Sequence, residues 1–316
     1  MQKIIYLGPD EGFQAVQAMA SRELNFYHVE AEDSAVAQAL RSAAALLDAS
    51  MRVRLTAEMI QAAPGLKIIS CATTGSDHID VDILARRGIV LATLRDDREL
   101  LQNLTPAAEL SWALLMACAR RLTAAFDHVK EGLWTRELFP GIMLRGKRLG
   151  LVGCGRIGSW MGRYAGAFGM EVVGYDPYVE PFPEHIKAVP LPELAETSDF
   201  ISIHVHLSAE TRRLISRELY RRMKKGVVLI NTSRGAVIDE SALLEALCEG
   251  RVAAAGVDVL EGEPDINNHP LVEYARRHDN LIITPHCGGF SYDAIRIVCR
   301  RAAEKIISYL QTGKIL

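Results

Sequence analysis

The chain has 316 residues, 49% hydrophobic and 24% charged, which is the composition of a globular protein with room for two domains. A formal charge of −3 excludes the broad basic face that nucleic-acid recognition needs, but not small anionic ligands, which need only a few local cations. No run approaches the roughly 18 apolar residues of a spanning helix, and the N-terminal MQKIIYLGPDEG has too short an apolar run for a signal peptide, so a cytoplasmic protein without membrane or nucleic-acid partners is expected.

In chain order, Lys3–Leu7 reads as a short strand ending at Gly8-Pro9, and Leu66–Ser70 and Ile89–Leu91 read likewise. Between the last two, Val81–Arg87 is helical in pattern and stops at Gly88. Met51-Arg-Val-Arg54 precedes Thr56, which caps a helix running through Ile60; if the stretch is extended, Arg52 and Arg54 share a side. Asn103–Gly132 is the longest helical candidate, with Thr105 as cap and Pro106 in the first turn. It is apolar on most sides, so it belongs either inside a core or in a subunit contact. From Lys147 the alternation becomes regular. Strands are expected at Arg148–Val152, Glu171–Tyr175, Phe200–His204, Val227–Asn231, Ala254–Val257 and Leu281–Thr284, with helices such as Ile157–Phe168, Arg217–Met223 and Glu240–Glu249 between them. Strands alternating with helices define an α/β fold with a parallel sheet, and six such strands match a doubly wound nucleotide-binding domain. The six cysteines form no CxxC pair and no zinc-like cluster, so free thiols and no metal are expected.

Gly153, Gly155 and Gly158 form a GxGxxG that follows one strand, opens a helix and precedes a second strand ending at Asp176. Gly153 permits the tight turn, Gly155 a close approach to a pyrophosphate, and Gly158 close packing of helix on strand. The helix N-terminus offers N–H groups and a positive dipole end to phosphates. Asp176 can accept from the adenosine ribose hydroxyls and repels a 2′-phosphate, and no basic residue follows it, which favours NAD over NADP.

Three later motifs start at or just past predicted strand ends: Asn231-Thr-Ser-Arg-Gly235, Asp258-Val-Leu-Glu-Gly-Glu-Pro264 and Thr284-Pro-His-Cys-Gly-Gly289. In an open parallel sheet those ends face the ligand crevice.

From about Leu46 onward these motifs resemble the D-isomer-specific 2-hydroxyacid dehydrogenase family, of the phosphoglycerate and glycerate dehydrogenase kind. The resemblance implies two Rossmann-like parallel-sheet domains. An NAD-binding domain (99–287) is inserted into a discontinuous, flavodoxin-like substrate domain (1–98 and 288–316, with a C-terminal helix over Tyr292–Leu310). It implies an NAD-dependent oxidoreductase that interconverts a small D-2-hydroxy acid and its 2-keto acid, working as a homodimer.

By the same resemblance Arg234, Glu263 and His286 are catalytic. Arg234 grips the substrate carboxylate and polarises the carbonyl, His286 moves the proton on the 2-oxygen, and Glu263 orients the imidazole. Asp258 is the acid that holds the nicotinamide carboxamide, and Arg156, Ile157, His204, Thr211, Thr232, Ser233 and Gly288 complete the cofactor contacts. Thr74 and Gly75 fall in the loop whose N–H groups receive the substrate carboxylate. Arg52 and Arg54 match a loop that holds a distal anionic group in phosphoglycerate-using relatives, although their leading Arg corresponds here to Ser50.

A second departure is His206, where the family has Pro; a tolerated surface residue is expected there. Formate dehydrogenases carry Gln at the position of Glu263. A phosphite dehydrogenase-like activity, or an NAD-sensing regulatory protein of the corepressor kind, would keep the same three residue types and stays open as an alternative.

Overall fold

The computed structural model describes residues 2–316, which form two compact units, residues 2–104 with 290–316 and residues 105–289. The expected limits, 98/99 and 287/288, differ by a few residues. The short helix α5 (Arg98–Gln102) falls in the first unit, where Asp97 before it pairs with the C-terminal helix.

The first unit runs β1 (Gln2–Leu7), α1 (Asp10–Gln17), β2 (Leu24–His28), α2 (Asp33–Leu40), β3 (Ala45–Asp48), α3 (Ala57–Gln61), β4 (Ile68–Cys71), α4 (Val81–Arg87), β5 (Val90–Ala92) and α5. The last helix of the chain, α13 (Tyr292–Thr312), completes it. All strand pairs are parallel, in the order β2-β1-β3-β4-β5, so the order reverses between β1 and β3 as in flavodoxin-like sheets. Every residue of β3 and β4 is buried, because helices cover both faces. Thr56 and Asp80 cap α3 and α4 through their side chains, and Gly88 (φ +64) ends α4 in the left-handed region. The strands β2 and β3 went unread in the sequence. β3 lies in an alanine-rich stretch whose pattern does not separate strand from helix.

The second unit runs α6 (Pro106–Arg120), α7 (Leu122–Lys130), β6 (Arg148–Val152), α8 (Arg156–Ala167), β7 (Glu171–Tyr175), β8 (Lys187–Ala188) and α9 (Leu191–Thr197). It continues with β9 (Phe200–Ile203), α10 (Arg217–Arg222), β10 (Val227–Asn231), α11 (Glu240–Cys248), β11 (Val252–Val257), α12 (Pro270–Ala275) and β12 (Leu281–Ile283). The sheet is parallel throughout, in the order β12-β11-β10-β9-β6-β7-β8. It is the doubly wound arrangement, with its switch point between β9 and β6. Two apolar layers, one around Ile201, Leu229 and Leu243 and the other around Leu115, Leu151 and Met161, fill its two faces.

The single long helix expected over Asn103–Gly132 is two helices. Arg121 sits in the left-handed region (φ 50, ψ 42) and breaks the run. Its guanidinium donates to the Leu138 carbonyl (2.9 Å) and to Asp279 (2.5 Å), contacts that no local pattern encodes. The part that packs on the sheet is α6, through Leu114, Leu115, Cys118 and Ala119, whereas α7 buries no residue. Thr105 precedes α6 as expected, but its hydroxyl donates to Glu109 (2.5 Å) instead of accepting a backbone N–H. Among the described residues no helix is long and apolar enough to cross a membrane.

Candidate active site

The glycine-rich turn leaves β6 at Val152 and enters α8 at Arg156. Gly153 has φ +95, and a Cβ there would lie 2.6 Å from the His204 carbonyl oxygen, so both conformation and space demand glycine. At Gly158 a Cβ would fall 2.1 Å from the Gly153 carbonyl oxygen, which is the close helix–strand approach the motif requires. A Cβ on Gly155 would meet nothing, so that side of the turn is open. Asp176, just past β7, accepts from Cys154 N (2.9 Å) and Tyr178 N (2.9 Å), and so anchors the turn. These features fit a dinucleotide: open space over Gly155, the N–H groups of α8 at Arg156 and Ile157, and a carboxylate at the next strand end. Cys154 only packs; its thiol is buried and pushed up to about 12 by desolvation and by Asp176.

His204 lies beneath this turn. Its Nε2 meets Ser202 Oγ at 2.8 Å, and desolvation pushes its pKa down to about 3, so the ring is neutral at any working pH. Thr211 turns inward on its own loop, donating to the His206 carbonyl (2.6 Å) and accepting from Ser208 N (2.7 Å). His206 itself is exposed.

On the other side of the switch point, the ends of β10, β11 and β12 carry the three late motifs. At the end of β10, the buried Asn231 organises the turn that follows. Its Oδ1 accepts from Ser233 N (3.1 Å) and Ser233 Oγ (2.7 Å), and its Nδ2 donates to the Arg234 carbonyl (3.0 Å). Thr232 Oγ1 meets Ser111 Oγ of α6 at 2.6 Å. Arg234 is half-buried, and one of its guanidinium nitrogens donates to the Ser233 carbonyl (2.8 Å). Gly235 is needed because a Cβ there would lie 2.1 Å from the Leu260 carbonyl carbon.

Asp258, past β11, is 1% exposed. Its Oδ1 accepts from Thr284 Oγ1 (2.5 Å) and Cys287 N (2.9 Å), and its Oδ2 from Gly288 N (2.8 Å). A buried carboxylate needs such donors, and here they are the loop that carries His286. A Cβ at Gly288 would approach Asp258 Oδ2 to 3.0 Å. The aspartate expected to face the nicotinamide is thus also the anchor of the histidine loop.

His286 holds a left-handed backbone (φ 53), unusual for a non-glycine residue, with its N–H on the Asp258 carbonyl (2.8 Å). Its Nδ1 lies 2.5 Å from Glu263 Oε1, while Glu263 Oε2 accepts from Leu260 N (3.1 Å). The carboxylate takes one ring nitrogen and leaves Nε2 for another partner. The two side chains are 38% and 29% exposed, enough for a substrate atom to reach the ring.

Sequence reasoning missed the support behind this pair. Glu240 on α11 accepts from Glu261 N (2.8 Å) and contacts His269 Nε2 (3.1 Å), so it steadies the loop that presents Glu263. Nothing local signals a pairing across 29 residues.

A cavity of about 620 Å³ in the same unit, lined by Arg121, Tyr274, His278 and Asp279, sits at the opposite ends of β10, β11 and β12 and contains none of these residues.

In the first unit, Arg52 and Arg54 are exposed while Val53 and Leu55 are buried, so the two arginines share a side as expected. The Thr73 hydroxyl closes the next turn on the Gly75 carbonyl (2.8 Å). Among the described residues the Thr74 and Gly75 N–H groups donate to no protein acceptor.

Residues 112–288 match the family model described as D-isomer specific 2-hydroxyacid dehydrogenase, NAD binding domain. The chain is 40% identical over 260 residues to a hydroxypyruvate reductase of Thermotoga maritima, covering 81% of this chain and 82% of that one. It is 39% identical over 262 residues to a D-3-phosphoglycerate dehydrogenase of Methanocaldococcus jannaschii, covering 82% of this chain; the match spans about half, 48%, of that relative. The D-lactate dehydrogenase of Aquifex aeolicus, solved with NAD and lactic acid, superposes with a TM-score of 0.82 at 29% identity, over 98% of this chain and 95% of that one.

Proposed function

Because the chain belongs to the D-isomer-specific 2-hydroxyacid dehydrogenase family, we propose that it is an NAD-dependent oxidoreductase that interconverts a small D-2-hydroxy acid and its 2-keto acid. The observation that carries this reading is the His286–Glu263 pair, held at 2.5 Å in the unit that also bears the glycine-rich turn and Arg234.

NADH, when bound, would supply the hydride for C2 of the keto acid. Gly153, Gly155, Gly158 and the first turn of α8 would hold its pyrophosphate, and Asp176 its adenosine ribose. Protonated His286 donates from Nε2 to the 2-oxygen as the C2–H bond forms, so the keto acid gains one hydride and one proton in total. Glu263 keeps Nδ1 protonated and the ring aimed. Arg234 grips the carboxylate and polarises the carbonyl. Within the first unit, the N–H groups of Thr74 and Gly75 suit a substrate carboxylate.

Arg52 and Arg54, exposed on one face, favour a keto acid with a second anionic group. The test is an NADH-oxidation screen over glyoxylate, hydroxypyruvate and phosphohydroxypyruvate, with His286→Asn as control. Turnover that His286→Asn abolishes is expected, highest in kcat/KM for phosphohydroxypyruvate. No turnover of any 2-keto acid refutes the dehydrogenase reading, and a preference for glyoxylate refutes the second anion.

The reading extends to a homodimer. Phe126 and Val129 on α7, followed by Leu133 and Trp134 (88% exposed), leave an apolar surface that a second copy would cover. A monomer by light scattering at micromolar concentration would refute it. A cytoplasmic setting fits six cysteines that are all unpaired.

A further inference from the structure

The side chain of Asp48, at the end of β3, is fully buried. Burying a carboxylate is costly unless donors surround it. Its Oδ1 accepts from Ser50 N (2.8 Å), Ser50 Oγ (3.0 Å) and Met51 N (3.1 Å), and its Oδ2 lies 2.7 Å from His78 Nε2. These donors come from two different loops. Ser50 and Met51 open the segment that carries Arg52 and Arg54. His78 closes the segment that carries Thr74 and Gly75.

The backbone laces the same two loops. Leu55 N donates to the His78 carbonyl (2.9 Å), Asp80 N to the Leu55 carbonyl (3.1 Å), and Ala72 N to the Asp48 carbonyl (2.8 Å). Met51 sits at φ 54, a conformation that an L residue keeps only when its surroundings over-determine it, and its N–H on Asp48 is one such constraint. The His78 ring is 10% exposed, and its Nδ1 is buried without a partner. With Nε2–H donating to Asp48, that nitrogen carries a lone pair and no proton in the neutral ring.

We propose that Asp48 and His78 are a positioning pair that fixes the Thr74–Gly75 turn against the Arg52–Arg54 segment, and so controls substrate affinity while leaving the chemical step alone. This rests on the reading that Thr74 and Gly75 receive the substrate carboxylate. Neither residue touches the reacting atoms. Each loop borrows its conformation from one buried carboxylate, so losing the pair loosens both anion contacts at once.

The chemistry of the ring supplies a sharp test. In His78→Gln the amide nitrogen reaches about as far as Nε2 and still donates to Asp48. In His78→Asn the amide stops near the position of Nδ1, and Asp48 Oδ2 loses its donor. Asp48→Asn turns an amide donor toward Nε2, which forces the ring proton onto the partnerless Nδ1.

The experiment measures KM and kcat of the full chain at saturating NADH for glyoxylate and phosphohydroxypyruvate, the NADH Kd, and Tm. For His78→Asn, KM should rise about tenfold or more with kcat within about twofold and NADH Kd unchanged, as expected when a bond to a charged group is lost from the binding scaffold alone. The rise should be larger for the phosphorylated acid, and His78→Gln should stay within about threefold of wild type. Should His78→Asn fail to fold, Asp48→Asn carries the same prediction. The pair is refuted if KM stays put in a folded variant, if kcat falls as far as KM rises, if NADH binding shifts in parallel, or if Gln is as damaging as Asn. Wild-type turnover without this variant pattern refutes the pair only. Absence of wild-type turnover refutes the functional reading and the pair with it.

Discussion

Replacing Asp258 by Asn changes one atom and should disable the loop that carries His286. The wild-type carboxylate accepts from Thr284 Oγ1, Cys287 N and Gly288 N at 2.5, 2.9 and 2.8 Å. An amide has a single acceptor oxygen. With that oxygen at the Oδ1 position, the new NH₂ faces Gly288 N; flipped, it faces Cys287 N. Either way one backbone N–H loses its acceptor in a site that is 1% exposed. An orphaned N–H costs about 1–3 kcal/mol, and the remaining bonds lose their charge assistance, so the total is roughly 3 kcal/mol. At roughly 2–4 °C per kcal/mol for a domain of this size, Tm should fall by about 6–12 °C. The activity should fall as well, because His286 N donates to the Asp258 carbonyl and the ring is aimed by this loop. A misplacement of one ångström can cost about a hundredfold, so kcat/KM should drop by about tenfold to a hundredfold. Differential scanning calorimetry and steady-state NADH oxidation read the two effects on one preparation. A variant within about 2 °C of the wild-type Tm and within about twofold in kcat/KM would refute the anchoring role.

The remaining predictions rest on other parts of the chain. Gly235→Ala would place a Cβ 2.1 Å from the Leu260 carbonyl carbon and 2.2 Å from Glu261 N, both backbone, so unfolding in urea should show a loss above about 3 kcal/mol; a loss below about 1 kcal/mol would mean the two turns separate easily. Asp176→Ala should weaken NAD binding and improve the relative use of NADP, read as the ratio of kcat/KM values; an unchanged ratio removes Asp176 from cofactor choice. At Asp97 desolvation acts to raise the carboxyl, but hydrogen bonds from Lys305 and Arg301 outweigh it and hold it below the ordinary carboxylate value. A lowered folded pKa means stability that is present above the unfolded carboxylate value, near about 3.9, and lost as pH falls through the folded value. The Tm difference between wild type and Asp97→Asn should therefore be constant from neutral pH to about 5 and shrink below about 4; a difference that does not depend on pH would contradict it.

Much of the second unit was legible in the sequence. The strands Arg148–Val152, Glu171–Tyr175 and Val227–Asn231 stand where their apolar runs put them, and the glycine spacing from Gly153 to Gly158 describes a turn whose steric demands are local. A parallel strand buried on both faces, or a turn that only glycine can make, leaves its mark on adjacent residues. The positions of Arg234, Asp258, Glu263 and His286 at the ends of β10, β11 and β12 follow from the same alternation, because each motif begins where a strand stops.

What tertiary structure decided is of another kind. Arg121 splits the long apolar helix, its guanidinium held by Leu138 and Asp279, so that α6 packs on the sheet while α7 buries no residue. Asp258 became the anchor of the histidine loop through donors 26–30 residues away, and Glu240 meets His269 across 29. Asp48 and His78, 30 residues apart, had no visible relation in the chain. Local spacing encodes backbone conformation and which face is apolar. Which buried carboxylate finds which donor depends on where two strand ends come to rest side by side, and that is settled only when the sheet has assembled.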